Sequence, residues 1–115
     1  MDISVVVPLF NKKATIAVTL ASVNGQSCPA REIVVVNDGS TDGCEAVVES
    51  LGIANLRLVH QKNAGVSAAR NHGASLARCE WVAFIDGDDE WLPGFLETVI
   101  GLHDAFPGHE VYSTA

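Results

Sequence analysis

Residues 32–42 read EIVVVNDGSTD, an apolar run followed directly by a polar turn. Residues 33–36 are apolar at every position, which is typical of a strand buried on both faces and not of one that alternates between core and solvent. Residues 37–42 combine Asn, Asp, Gly, Ser and Thr, the chemistry of a turn that ends at a helix N-cap. The stretch therefore predicts a strand, a turn and a helix in succession.

The same succession repeats along the chain. We predict strands at residues 3–7, 32–36, 56–59 and 81–85, the first of them closed by Pro8, and helices at residues 14–23, 44–51, 66–77 and 93–106. Residues 110–113 are compatible with the start of a fifth strand. Apolar strands that alternate with helices indicate a parallel sheet covered on both faces. The predicted fold class is therefore α/β, a Rossmann-like parallel-sheet sandwich, and a length of 115 residues indicates a single domain over residues 1–115.

The composition excludes several classes of protein. The formal net charge is −7 and the seven Lys and Arg residues are scattered, so we predict no nucleic-acid partner. No apolar run approaches the length of about 18 residues that a membrane span needs, and no signal peptide is visible. Cys28, Cys44 and Cys79 match no zinc pattern and are odd in number, so we expect reduced thiols in a cytoplasmic protein.

The four histidines form no ligand pattern either. We expect His60 and His72 to be structural or surface residues, and His103 and His109 to face solvent. The sequence therefore predicts no zinc site built from cysteine and histidine.

Acidic residues follow two of the predicted strands. In an open parallel sheet, ligands bind beyond the carboxyl ends of the strands. Asp38 ends the second strand, and Asp86, Asp88 and Asp89 end the fourth. Carboxylates gathered at one sheet edge repel one another unless a cation or hydrogen-bond donors compensate, and Mg²⁺ or Mn²⁺ prefers carboxylate and phosphate oxygens. Taken alone, the run Asp-Gly-Asp-Asp is also compatible with a polar turn whose acids cap a helix.

Four segments taken together are more specific. They are SVVVPLFNK at residues 4–12, VVVNDGSTD at residues 34–42, NAGVSAARNHG at residues 63–73 and FIDGDDEW at residues 84–91. In this order and at these separations they resemble the N-terminal half of the family 2 glycosyltransferases of the GT-A fold. The resemblance implies an inverting, metal-dependent enzyme that moves a sugar from a nucleoside-diphosphate sugar, a UDP-sugar favoured, to a hydroxyl of a glycan or lipid-linked acceptor.

The resemblance also assigns residues to the nucleotide. Pro8 and Phe10 match positions that line the base pocket, where Phe10 can stack on the base; the alternative is a core-facing ring. Asp38 matches the acid that accepts from a base N–H, and its alternative is an Asx-turn acid. Gly65 matches a loop position where backbone approaches the ligand. Arg70 matches a basic position near the diphosphate or base, and its alternative is a salt bridge to a nearby aspartate.

Residues 86–88 match the DXD motif of the family. The match implies that Asp86 contacts the ribose or, through water, the metal, and that Asp88 coordinates Mn²⁺ or Mg²⁺ directly. We expect Asp89 to cap the next helix and Trp91 to pack against Leu92 and Pro93, with a wall of the sugar site as the alternative for Trp91.

The general base of the family lies in the second half of its domain, so we expect it beyond Ala115 and expect this chain to be a truncated GT-A domain. By itself it is then expected to bind nucleotide weakly and transfer sugar poorly or not at all. Uncovered sheet edge and apolar surface favour self-association as a homo-oligomer. The resemblance places the protein in the cytoplasm, at the inner face of the membrane if regions outside this chain attach it there.

Three other enzyme or binding classes fit less well. A haloacid-dehalogenase-type phosphatase carries its acid pair after the first strand, whereas the pair here follows the fourth. A receiver domain needs a lysine late in the chain, and no basic residue follows Arg78. A dinucleotide-binding module needs a glycine-rich G-x-G-x-x-G turn after the first strand, which is absent. A catalytically inactive nucleotide-binding or interaction module stays open as the alternative function.

Overall fold

The computed structural model describes residues 2–105, which form four strands alternating with four helices. The elements are β1 (Ile3–Leu9), α1 (Ile16–Asn24), β2 (Glu32–Asp38), α2 (Cys44–Ser50), β3 (Leu56–Gln61), α3 (Val66–Leu76), β4 (Trp81–Phe84) and α4 (Phe95–Ala105). Every element predicted within these residues is confirmed, with shifted ends. The possible strand at residues 110–113 lies outside the described residues.

All strand pairs are parallel, and the strand order is β3-β2-β1-β4. The chain moves outward from β1 to β2 and β3, and then returns to the other side of β1 to add β4. In open α/β sheets, ligands bind at the point where the order reverses in this way. The crevice beyond the carboxyl ends of β1 and β4 is therefore the expected ligand site.

Strand β1 runs through Pro8, which was expected to end it. Val6 O accepts a hydrogen bond from Ile85 N, so the backbone polar groups of Val6 point toward β4. The direction alternates along a strand, so the backbone polar groups of Pro8, two residues later, point the same way. Pairing between β1 and β4 ends at Val6 and Phe84, whereas pairing with β2 continues to Leu9. Because β4 ends first, the missing N–H of Pro8 leaves no ladder bond unmade.

The sheet is covered on both faces. On one face, Val5, Val7 and Leu9 of β1 pack with the buried residues of α1 and α2 and with Leu96 of α4. On the other face, Val6, Val34 and Val36 pack against Ala69 of α3. Gly73 brings α3 this close, since a Cβ there would lie 2.3 Å from Val6 Cγ1.

The cysteines and two histidines are placed as expected. All three cysteines are free, with Cys44 buried and the other two half-buried. His60 is exposed and its Nδ1 lies 3.2 Å from Asn37 Nδ2, while His72 Nδ1 lies 2.8 Å from Gln61 Oε1. Both are structural or surface positions.

The prediction that His103 faces solvent is wrong. Helix α4 brings its last turn against β4, so the His103 ring packs edge-on against Trp81 with ring centroids 4.7 Å apart, and the residue is half-buried. His109 lies outside the described residues. Within residues 2–105, no helix has the length and apolar character needed to cross a membrane.

Candidate functional site

A cleft of about 460 Å³ opens at the carboxyl ends of β1, β2 and β4, beside the start of α3. Its volume lies in the range of small-molecule sites. The residues that line it are Pro8, Leu9, Phe10, Lys12, Asp38, Asn63, Gly65, Val66, Asp86, Gly87 and Asp88. The cleft therefore collects residues from all four segments singled out in the sequence.

A second depression, of about 550 Å³, lies at the opposite end of the sheet around Glu32. The Glu32 carboxylate is already used there, because it accepts hydrogen bonds from Ser4 Oγ, Arg57 Nη2 and Arg78 N. These bonds join β2 to β1, to β3 and to the segment before β4, which is a structural task. We therefore place the functional site in the carboxyl-end cleft, although it is the smaller of the two.

One wall of the cleft is apolar. Pro8 is buried in β1, and Phe10, immediately after the strand, is 45% exposed. The core-facing alternative for Phe10 is thereby excluded. Asn11 adopts a φ of 51°, a left-handed conformation that Asn tolerates, and its Oδ1 accepts from Thr41 N at 2.7 Å. This contact ties the loop that carries Phe10 to the loop after β2.

On the far side of the cleft, Asp38 connects the end of β2 to the end of β3 and the segment after it through hydrogen bonds. Asp38 is only 3% exposed. Its Oδ1 accepts hydrogen bonds from Gln61 Nε2 and from Ala64 N, each at 2.8 Å, and its Oδ2 accepts one from Gly65 N at 3.0 Å. Burial opposes the negative charge, but these hydrogen bonds outweigh it and lower the pKa of Asp38 below its ordinary value. These donors lie at the last residue of β3 and in the segment after it, not in the turn that follows Asp38, so Asp38 is not an Asx-turn acid.

Two glycines let this segment approach β2. Gly39 has a φ of 71°, and a Cβ on it would lie 2.8 Å from Asn63 N. Gly65 has a φ of 98° and precedes the first residue of α3. The start of α3, where backbone N–H groups lack helical partners and the helix dipole is positive, thus borders the cleft through Gly65 and Val66.

Acidic residues form the third side. Oxygen atoms of Asp86, Asp88 and Asp89 all lie within 4.8 Å of one another. The turn that carries them is anchored by α1, because Gly87 O accepts from Thr15 Oγ1 at 2.8 Å and from Thr19 Oγ1 at 3.0 Å. Sequence reasoning missed both threonines; their spacing of one helical turn on the side of α1 that meets the sheet was the available signal.

Each motif aspartate meets a cation from a different element. Arg70 Nη2 of α3 lies 3.0 Å from Asp86 Oδ1, as the salt-bridge alternative for Arg70 predicted. Lys12 Nζ, on the loop between β1 and α1, lies 3.1 Å from Asp88 Oδ2. Lys12, like the two threonines, was not assigned a role from the sequence.

Two further expectations need correction. Asp89 does not cap the next helix, since α4 begins only at Phe95 and Asp89 instead belongs to the acidic cluster. Trp91 does pack on a residue that follows it, but the partner is Phe95, whose ring stacks on the indole with centroids 4.4 Å apart. Both differences arise because residues 90–94 are not helical.

The model of the family described as "Glycosyl transferase family 2" matches residues 4–113 of the chain. The chain belongs to this family. The uncharacterised glycosyltransferase YibD of Escherichia coli K12 is 39% identical over 100 residues, which cover 85% of this chain and 29% of YibD. The resemblance drawn from the four sequence segments is thus confirmed.

Solved structures of family 2 glycosyltransferases show the same fold. Staphylococcus aureus TarS 1–349 in complex with UDP-GlcNAc superposes with a TM-score of 0.83 at 29% identity, over 98% of this chain and 37% of TarS. The mannosyltransferase PcManGT of Pyrobaculum calidifontis, in complex with GDP-Man and Mn²⁺, has a TM-score of 0.81 at 30% identity, over 91% of this chain and 32% of that protein. The GT-A prediction is confirmed, and the chain spans about a third of the length of the relatives it matches.

Proposed function

We propose that this glycosyl transferase family 2 chain forms the donor-binding part of an inverting, metal-dependent glycosyltransferase. The donor is a nucleoside-diphosphate sugar, a UDP-sugar favoured, and the acceptor is a hydroxyl of a glycan or lipid-linked sugar. One observation carries the proposal: a single cleft at the strand-order reversal brings together an exposed aromatic ring, a buried ionised carboxylate, and two members, Asp86 and Asp88, of a cluster of three aspartates.

The base occupies the end of the cleft between Phe10 and Asp38 in this proposal. Phe10 offers an exposed ring on which a planar base can stack, and Pro8 of β1 lines the same cleft. A carboxylate has about four lone-pair positions, and Asp38 Oδ2 has one short bond, to Gly65 N, and a longer one of 3.5 Å to Asn63 Nδ2. With the two bonds to Oδ1, all four positions are taken, so a base N–H bonds to Oδ2 by displacing the long contact with Asn63.

The diphosphate lies toward the acidic turn. The oxygen donors of Asp86, Asp88 and Asp89 fit a hard divalent cation, since they lie within 4.8 Å of one another and are partly exposed, so that phosphate and water can complete its shell. In the proposal Asp88 and Asp86 hold Mn²⁺ or Mg²⁺. When bound, the ion neutralises charge on the departing nucleoside diphosphate. Arg70 and the start of α3 add further positive charge at the same place.

Solved relatives support the proposal. TarS is described in complex with UDP-GlcNAc and PcManGT in complex with GDP-Man and Mn²⁺, and they align with 98% and 91% of this chain. No residue of this chain is assigned the role of general base. The alternative function is a nucleotide-binding module without transferase activity, and an assay of sugar transfer from a nucleoside-diphosphate sugar separates the two.

Calorimetric titration of the 115-residue chain with UDP, GDP and dTDP, each with and without Mn²⁺, tests the proposal. We expect one nucleotide to bind in the presence of Mn²⁺ only, and Asp88→Asn to remove that binding. Glu49→Gln, a loss of one exposed carboxylate on α2 away from the cleft, is the matched control and should bind as the wild type does. Absence of metal-dependent binding to the wild-type chain at millimolar nucleotide overturns the proposal.

A further inference from the structure

The Lys12 side chain runs along the acidic turn, from its backbone at the start of α1 to its ammonium beside Asp88. Its carbonyl oxygen accepts from Thr15 N and Ile16 N at 3.1 and 2.9 Å, which fixes the root of the side chain at the start of α1. Its stem lies along Gly87, because a Cβ on Gly87 would be 3.3 Å from Lys12 Cγ. Its ammonium ends 3.1 Å from Asp88 Oδ2 and lines the cleft. Only the far end of the side chain is free to move.

The Lys12 ammonium pairs with Asp88, the carboxylate that the proposed function assigns to a divalent cation. Two cations bound to the same carboxylate repel each other, so the arrival of a divalent cation at Asp88 weakens the hold of Lys12 on it. The Lys12 and Asp88 side chains are 40% and 46% exposed, which keeps the ion pair weak enough to exchange. Lysine suits the exchange because its charge is a point on a flexible stem, whereas Arg70 holds Asp86 with a planar guanidinium.

Resting on the proposed function, we infer that Lys12 is a resident counter-ion of Asp88 that moves to the donor diphosphate when a divalent cation takes Asp88. Lys12 then has two opposite effects. It weakens the binding of a free divalent cation, with which it competes, and it strengthens the binding of a nucleoside diphosphate once the cation is present. Because both effects use the same ammonium, Lys12 couples cation binding to nucleotide binding and disfavours a cleft that holds the cation alone.

The Lys12→Met variant separates these effects. Titration of Mn²⁺ alone, followed by the electron paramagnetic resonance signal of free Mn²⁺, should show affinity tighter than wild type by roughly two- to fivefold, the range expected for losing an exposed ion pair. Calorimetric titration of UDP, GDP and dTDP at saturating Mn²⁺ should show, for the nucleotide that wild type binds best, affinity weaker by roughly three- to tenfold, since a charged contact to phosphate is lost.

Matched variants make the result specific. Lys13→Met removes an adjacent, exposed lysine that does not line the cleft, and should change neither affinity. Lys12→Arg keeps the charge and should restore both affinities toward wild type. Circular dichroism verifies that each variant is folded.

The outcomes are distinct. Opposite shifts in Lys12→Met support the inference. Loss of both affinities, no change in either, or a change in the Mn²⁺ affinity alone overturns it while leaving the proposed function intact, provided that wild type binds a nucleotide with Mn²⁺. If wild type binds none of the three nucleotides, the proposed function and this inference fail together.

Discussion

Asp38 Oδ1, at the end of β2, accepts a hydrogen bond of 2.8 Å from the backbone N–H of Ala64, which leads into α3. With the bonds from Gln61 and Gly65, this contact makes one buried carboxylate the anchor of the segment that borders the cleft. Asp38 therefore both anchors this segment and, in the proposed function, accepts a hydrogen bond from the base.

Asp38→Asn should therefore lower both stability and nucleotide binding. An amide cannot accept on both terminal atoms, so at least one backbone N–H of the segment loses its partner. We expect the free energy of unfolding in urea to fall by about 1–3 kcal/mol, the range for losing hydrogen bonds to a charged group. Asp104→Asn, an exposed acid at the end of α4, is the control and should leave stability unchanged. Wild-type stability in Asp38→Asn would contradict the anchoring role.

Stability should also fall with acid. Burial opposes ionisation of Asp38 and Glu32, yet hydrogen bonds hold the pKa of each below its ordinary value of 3.8 and 4.5 respectively. Because the folded pKa is the lower one, the unfolded chain binds more protons, and stability rises with pH in this range. The contribution is complete above those ordinary values and is lost as the pH falls through the folded pKa values. Urea unfolding between pH 7 and pH 3, about the range that spans these carboxylates, measures it.

The Glu32→Gln variant is the internal check on that profile. It removes one of the carboxylates whose pKa is lowered in the folded chain, so its stability should depend less steeply on pH below about 4.5, the ordinary pKa of glutamate. A profile as steep as that of wild type would mean that other groups cause the acid sensitivity.

Gly73→Ala tests the packing of α3 on the sheet. The added Cβ would lie 2.3 Å from Val6 Cγ1, so helix or strand must shift. We expect a loss of about 1–3 kcal/mol, as for other overpacked cores. Gly101→Ala on α4 is the opposite case, since nothing lies within 4 Å of its added Cβ. It should stabilise by about 0.5–1 kcal/mol through helix propensity. Equal effects of the two changes would refute the close contact.

Thr19→Val tests the anchoring of the acidic turn by α1. The variant keeps the shape of the side chain and removes the hydroxyl that lies 3.0 Å from Gly87 O and 2.6 Å from Asp89 O. Stability should fall by about 1–2 kcal/mol, and Mn²⁺-dependent nucleotide binding should weaken. Thr98→Val is the control because Thr98 is exposed in the first turn of α4, where its hydroxyl donates to Gly94 O. If nucleotide binding in Thr19→Val matches wild type, the anchor does not serve the site.

Local patterns in the sequence predicted the helices, the strands and the position of the cleft. An apolar run such as residues 33–36, and the polar turn after it, can be identified from neighbouring residues in the sequence alone. Because ligands of parallel sheets bind beyond the carboxyl ends of the strands, the site could then be located without knowing the strand order. The continuation of β1 through Pro8 was not predictable in this way, because it depends on how far β4 extends beside it.

Contacts between distant segments account for the rest. Lys12 and Asp88, or Thr19 and Asp89, are far apart in sequence and meet only because β1 and β4 are neighbours in the sheet. His103 and Trp81 are also distant in sequence, and they meet because the last turn of α4 packs against β4. A single sequence shows which residues carry chemistry at a strand end, but the partner of each one depends on the strand order.

The central claim is that the carboxyl-end cleft binds a nucleotide together with a divalent cation. Amide chemical-shift mapping of the ¹⁵N-labelled 115-residue chain, titrated with UDP in the presence of Mg²⁺, tests it most directly. The account predicts that the amides of Phe10, Gly65 and Gly87 shift while those of Arg31 and Glu80, at the opposite depression, stay in place. Shifts confined to Arg31 and Glu80, or no shifts with UDP, GDP or dTDP, would contradict it.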